Sequence, residues 1–207
     1  MKYSVYSAES SICGENIKLL MQKSVRKDTM IMSIKIISQE EAEQLLHMEK
    51  RIIVNDTLQD TYYLRTSTDF FARFPMRSLD GNNLFLMQIS QSPYKQIKID
   101  FHFQENCQYI GLLRVDYHSI HKNPETINEH VPSIAQRYCG HFIEDSHIHF
   151  YVEGYRRLAW AIPLTVSSFP IKDIQMEEPS SLFSALRAFS TYIGLTTRIQ
   201  TEGRLFL

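Results

Sequence analysis

Gln96-Ile97-Lys98-Ile99-Asp100-Phe101-His102-Phe103-Gln104 alternates apolar and polar side chains almost without a break. Successive side chains of a β-strand point to opposite faces. Ile97, Ile99, Phe101 and Phe103 then share one face, while Lys98, Asp100 and His102 share the other. This is the pattern of a half-buried strand. Similar runs flank it, Leu84 to Ser90 before and Tyr109 to Tyr117 after. Ser92-Pro93-Tyr94 and Asn106-Cys107-Gln108 separate the three. Connections this short join antiparallel neighbours, so the three runs form a meander.

Toward the N-terminus, Asp80-Gly81-Asn82-Asn83 marks a turn. Phe70, Phe71 and Phe74 precede Pro75 and read as core. Thr61 to Thr66 alternates weakly as a strand. Ser38-Gln39-Glu40-Glu41 opens a helix, with Ser38 as N-cap and Glu41 as its capping-box partner. Ala42, Leu45, Leu46 and Glu49 follow at helical spacing, Ile52 and Ile53 continue the stripe, and Asn55-Asp56 ends it. Residues 1–37 form a separate segment. In it Ile17 to Met21 suggests a short helix, and Met30 to Ile37 a strand or a natural start at Met30 or Met32.

Toward the C-terminus, residues 118 to 146 are polar and irregular, a long excursion of the kind that carries function. His147 to Glu153 returns as a strand. Gly154 to Arg157 turns, and Leu158 to Leu164 pairs back, with Pro163 marking a strand end or an edge. Pro179-Ser180-Ser181 starts a last helix, whose Leu182, Phe183, Leu186, Phe189, Tyr192 and Ile193 recur at three and four. Gly194 is its C-cap, and Arg198 and Arg204 fall in a short tail. The expected fold is α+β: an antiparallel meander sheet of about five strands with flanking helices, in one domain over 38–207.

The chain has 207 residues, 43% of them hydrophobic, and a net charge of −1. That balance gives no support to bulk nucleic-acid binding, though it leaves room for a local basic patch. The three cysteines are odd in number and far apart, so no disulfide framework is expected. The start of the chain does not read as a leader and no apolar run reaches spanning length, so the expected location is the cytoplasm, with no membrane partner. Of eight histidines, only His47 lies outside the interval from His102 to His149.

At the end of that interval, Ser146-His147-Ile148-His149-Phe150-Tyr151-Val152-Glu153-Gly154-Tyr155 places His147, His149, Tyr151 and Glu153 on one face of a strand. Two imidazoles, a phenol and a carboxylate in a row make a candidate site.

Four stretches together resemble a family of small bacterial and phage proteins of unassigned function. They are Leu113-Arg114-Val115-Asp116, His121-Lys122-Asn123-Pro124, the strand from His147 to Tyr155, and Ala159-Trp160-Ala161-Ile162-Pro163-Leu164. The resemblance spans residues 84 to 195, and this chain departs from it in a longer segment between Pro124 and His147. It implies a mobile-element or phage-defence setting and adds Arg114, Asp116, His121, Asn123 and Tyr155 to the site.

The leading expectation is a toxin-like, metal-independent endoribonuclease acting on RNA. Cleavage of this kind needs a base, an acid and help for the phosphate. His147 and His149 would be base and acid, with Arg114 and Tyr151 on the phosphate. Asp116, His121, Asn123, Glu153 and Tyr155 would bind substrate or a partner. No cofactor is expected. One alternative is a non-enzymatic interaction module, such as an inhibitor of a protein partner, with a hydrogen-bonded His/Tyr/Glu network. A second is a cupin-like metal site of His147, His149 and Glu153, completed by His118, His121 or Asp116. The cupin glycine spacing and second histidine motif are absent. A histidine-triad hydrolase would need histidine where Tyr151 stands.

Overall fold

The Ser38 hydroxyl accepts a hydrogen bond from Glu41 N–H at 3.1 Å and the Glu41 carboxylate accepts one from Ser38 N–H at 2.9 Å, so the expected capping box starts helix α1, Gln39–His47. The structure is a computed structural model that describes residues 37–65, 71–91, 98–175 and 179–202. The expectations for Ile17 to Met21 and for Met30 to Ile36, and those for Phe70, Ile97 and Arg204, lie outside these residues.

The helix does not run on through Ile53. Lys50–Val54 is strand β1, and Asn55-Asp56 is the turn into β2, Thr57–Leu58. Both turn residues have positive φ, 49° and 59°, the conformation that a two-residue hairpin requires and that Asn and Asp tolerate. The β-branched Ile52 and Ile53 fit a strand as well as a helical stripe, so an apolar pair alone could not separate the two.

Strands β3 (Thr61–Arg65), β4 (Phe71–Ser78), β5 (Leu84–Gln91), β6 (Ile99–Glu105) and β7 (Ile110–Tyr117) follow. The excursion carries β8 (His121–Lys122), α2 (Ser133–Gln136) and β9 (Phe142–Ile143). Then come β10 (His147–Phe150), β11 (Trp160–Pro163), a 3₁₀ turn over Leu164–Val166, α3 (Pro179–Tyr192) and β12 (Arg198–Glu202). The main sheet has eight strands in the order β11-β10-β7-β6-β5-β4-β1-β2, and every adjacent pair is antiparallel. This corrects the expected five. β4 was hidden by Pro75. β1 pairs with β4 only at Met76, Arg77 and Ser78, so Pro75 lies on a locally one-sided stretch, where a missing N–H is tolerated. The expected tail contains β12, which pairs in parallel with β3, while β8 and β9 form a second small ribbon.

The inner face of the sheet carries Ile89, Phe101, Val115 and Ile148 in one transverse row, all buried. Helix α3 lies over it, with Phe189 5.4 Å from Phe101 between ring centroids. Each such side chain contributes about 1.5–3 kcal/mol by burial. Phe74 joins this core, whereas Phe71 is exposed. Lys50 is fully buried and ties the two long helices together: its ammonium donates to Leu46 O at 3.0 Å and to Ile193 O, over the rings of Phe85 and Phe103.

The outer face is polar. One row across β5, β6, β7 and β10 reads Ser90, Asp100, Asp116, His147, and the next reads Gln88, His102, Arg114, His149. Cys139 is free. No helix among the described residues is long and apolar enough to cross a membrane.

Candidate metal centre

Strand β10 is paired on both sides, with β7 and with β11. Its register sets His147 opposite Asp116 and His149 opposite Arg114. The four side chains occupy the corners of a square on the outer face. Three corners are closed to solvent: the side chains of His147, Asp116 and His149 are 0%, 1% and 2% exposed, while that of Arg114 is 37% exposed.

The excursion closes this end of the sheet. His121 donates from Nε2 to Ala159 O at 2.9 Å and lays its ring 4.5 Å from that of His149 and 5.7 Å from that of His147. Asn123 pairs its amide with both backbone groups of Ala161 on the edge strand β11. Leu158 lies over Gly111, where an added Cβ would meet it at 3.1 Å.

Each imidazole is oriented by a carbonyl. His147 Nδ1 bonds Asp145 O at 2.8 Å, and His149 Nδ1 bonds Leu158 O at 2.9 Å. A carbonyl only accepts, so both Nδ1 atoms carry hydrogen, and in the neutral ring the lone pair resides on Nε2. Burial pushes His149 down to about 4, against the opposing pull of Asp116, so its Nε2 is bare at neutral pH. Both Nε2 atoms are buried without a hydrogen-bond partner. Both lie 3.5 Å from the same Asp116 oxygen, Oδ2.

With both rings neutral, two lone pairs face a carboxylate oxygen and repel it unless a cation sits among them. The separation is too long for a charge-assisted hydrogen bond, which runs about 2.7–2.9 Å. It matches ligand atoms about 2.0–2.1 Å from a tetrahedral ion, which stand roughly 3.4 Å apart. The three ligand atoms lie within 4.8 Å of one another. Two imidazoles fixed by Nδ1–H···O=C bonds, with a carboxylate fixed by an outer partner, have the support that metal ligands receive. That outer partner is Arg114, which donates from Nε to Asp116 Oδ1 at 2.6 Å and from Nη2 to Oδ2. Burial alone would raise the Asp116 carboxyl. The hydrogen bonds and charge of Arg114 oppose this, and the group lies far below the usual carboxylate range.

The other expected site residues are elsewhere. β10 ends at Phe150, so the alternation from His147 to Glu153 stops halfway. Tyr151 donates its phenol to Ile37 O at 2.7 Å, and Glu153 accepts from Gln39 N–H at 2.9 Å, so both anchor the start of α1. In the alternative metal set, Asp116 stands where Glu153 was expected. Tyr155 donates to Thr126 O at 2.6 Å and packs edge-on against Trp160, clasping the excursion. His118 contacts Ile174 O and Asp173. His102 was not singled out as a site residue, yet it flanks Arg114 in the outer row. Its place on the polar face of β6 was the available signal.

The chain belongs to the family described as "Family of unknown function (DUF6978)", whose model matches residues 37–195. The match begins at the residue before Ser38 and so includes α1 as well as the stretches that carried the resemblance. No curated protein and no solved structure matches the chain.

Proposed function

We propose that this member of the family is a metal-dependent protein that binds one divalent first-row transition ion through His147 Nε2, His149 Nε2 and an Asp116 carboxylate oxygen. The observation that carries the reading is the pair of buried, unpartnered Nε2 atoms, each 3.5 Å from the same Asp116 oxygen. Two imidazoles and a carboxylate suit zinc or iron, and three protein ligands leave a position for water or substrate. Such an ion supplies Lewis-acid chemistry, so the reaction class is metal-assisted hydrolysis. RNA is the first substrate to test, because the resemblance to phage and mobile-element proteins suggests a defence setting.

Burial of both imidazoles favours ligation over direct acid–base work on a phosphodiester, which would require them to touch the polymer. The test is metal analysis of the purified full chain after zinc loading and gel filtration. One ion per chain in wild type, and a loss of more than about 100-fold in affinity in His147→Ala and His149→Ala, supports the reading. Equal retention by wild type and both variants sinks it. Labelled RNA is then incubated with and without EDTA. Cleavage restored by metal extends the reading to catalysis, whereas cleavage undiminished in EDTA assigns the two imidazoles to acid–base chemistry instead.

A further inference from the structure

Three corners of the square are sealed and the fourth is not. Arg114 is a third exposed, against 2% or less for its three neighbours. Its guanidinium spends Nε and Nη2 on Asp116, and Nη1 has no partner among the described residues. A guanidinium has five N–H donors, so the outward ones remain available. Across β6, His102 faces Arg114 in register. Burial is the main cause that pushes His102 down to about 4, with the Arg114 charge adding to it, so it is a neutral imidazole with one N–H to give. The polar side chains that flank this corner in register are Gln88, Asp100 and His102, each partly exposed.

From this placement we infer that Arg114 and His102 form an oxyanion subsite beside the metal. The ligand of the centre then carries a phosphoryl or carboxyl group, with one oxygen on the ion and another on the guanidinium. The inference rests on the proposed metal site and names the substrate chemistry for it. Arginine suits this role because its planar fork matches the oxygens of phosphate and carboxylate, where an ammonium would act only as a point charge. Besides Asp116, Asp100 opposes an anion at this corner. Its Oδ1 accepts from Ser90 Oγ at 2.6 Å, turned toward β5, and burial, followed by the Asp116 charge, raises its carboxyl. The ion's two charges and Arg114 against Asp116 and Asp100 leave the corner net positive once metal is bound. Metal loading and anion affinity should therefore rise together.

Cobalt(II)-substituted full chain provides the test, because its visible spectrum reports the ligands on the ion directly. Inorganic phosphate and acetate are titrated separately, which distinguishes a phosphoryl from a carboxyl ligand. The expected result is a saturable spectral change with at least one of them. His102→Phe should weaken it about tenfold at unchanged cobalt stoichiometry, because His102 does not hold Asp116. Arg114→Lys should weaken it at least as much and lower the cobalt affinity as well, because Arg114 also fixes Asp116. A cobalt spectrum indifferent to both anions, or an unchanged anion affinity in both variants, overturns the subsite while leaving the metal site standing. Failure of wild type to take up cobalt removes the metal site and the subsite together.

Discussion

Asn123 mimics a strand for Ala161. Its Nδ2 donates to Ala161 O at 2.9 Å, and its Oδ1 accepts from Ala161 N–H at 2.9 Å. Ala161 lies on β11, the edge of the eight-stranded sheet, so one side-chain amide takes the place of a ninth strand. Edges left bare invite pairing with other chains. Two residues earlier, His121 bonds Ala159 O from the same segment. The His-x-Asn-Pro stretch is therefore an edge cover that also roofs the candidate centre.

Asn123→Ala leaves a buried donor and a buried acceptor of Ala161 unpaired. It should cost about 2–6 kcal/mol, from roughly 1–3 per orphaned group. Asn123→Asp should cost more, because a carboxylate cannot donate to Ala161 O or Tyr138 O, both of which the amide now reaches. Urea unfolding gives the measurement. A midpoint unchanged in Asn123→Ala would show that water replaces the amide at no cost.

Lys50 predicts an unusual pH dependence. Burial lowers it to about 7, although Leu46 O and Ile193 O favour the ammonium. In the unfolded chain it titrates at about 10.4. Below the folded value both states are protonated and the burial penalty is in full force. Between about 7 and the unfolded value the unfolded chain holds a proton that the folded chain has released. Stability therefore rises with pH across that window. Wild type should gain on Lys50→Met by a few kcal/mol between pH 7 and pH 10, at about 1.4 kcal/mol per unit. A difference that stays flat over this range would contradict the assignment.

Asp116→Asn separates ligation from packing. An asparagine amide can donate to one bare imidazole Nε2 and still present an oxygen to Arg114. In EDTA the variant should lie within about 1–2 kcal/mol of wild type, since a pair is weakened but a repulsion is relieved. With zinc at 100 times its dissociation constant, wild type should gain about 2.7 kcal/mol and the variant nearly nothing. Thermal melts with and without zinc measure both. Equal zinc stabilisation of the two proteins would remove Asp116 from the ligand set.

Tyr151→Phe and Glu153→Gln test the anchoring of α1. Tyr151→Phe loses a bond to Ile37 O and should cost about 1 kcal/mol. Glu153→Gln loses a negative charge at a helix N-terminus and should cost about 0.3–1 kcal/mol. Neither should alter zinc affinity. A large loss of zinc binding in either would return these residues to the site.

The sequence alone determined what is local. Period-2 alternation located β5, β6 and β7, Ser38 and Glu41 located the start of α1, and a helical stripe located α3. The same alternation put His147 and His149 on one face, because that follows from the strand geometry of three residues. Tertiary structure decided the rest. Where β10 ends separates Tyr151 and Glu153 from the histidines, and hydrogen bonds to α1 set that end. Register brings Asp116 opposite His147, and a slip of one residue would have presented Val115 instead. Lateral pairing is a non-local choice among strands, so neither the eight-strand order nor the approach of Asp116 to the two histidines is written in any single stretch. Burial is non-local too. The excursion that roofs the histidines reads only as a polar loop until His121 and Asn123 are seen bonded to the backbone of β11 and the residue just before it.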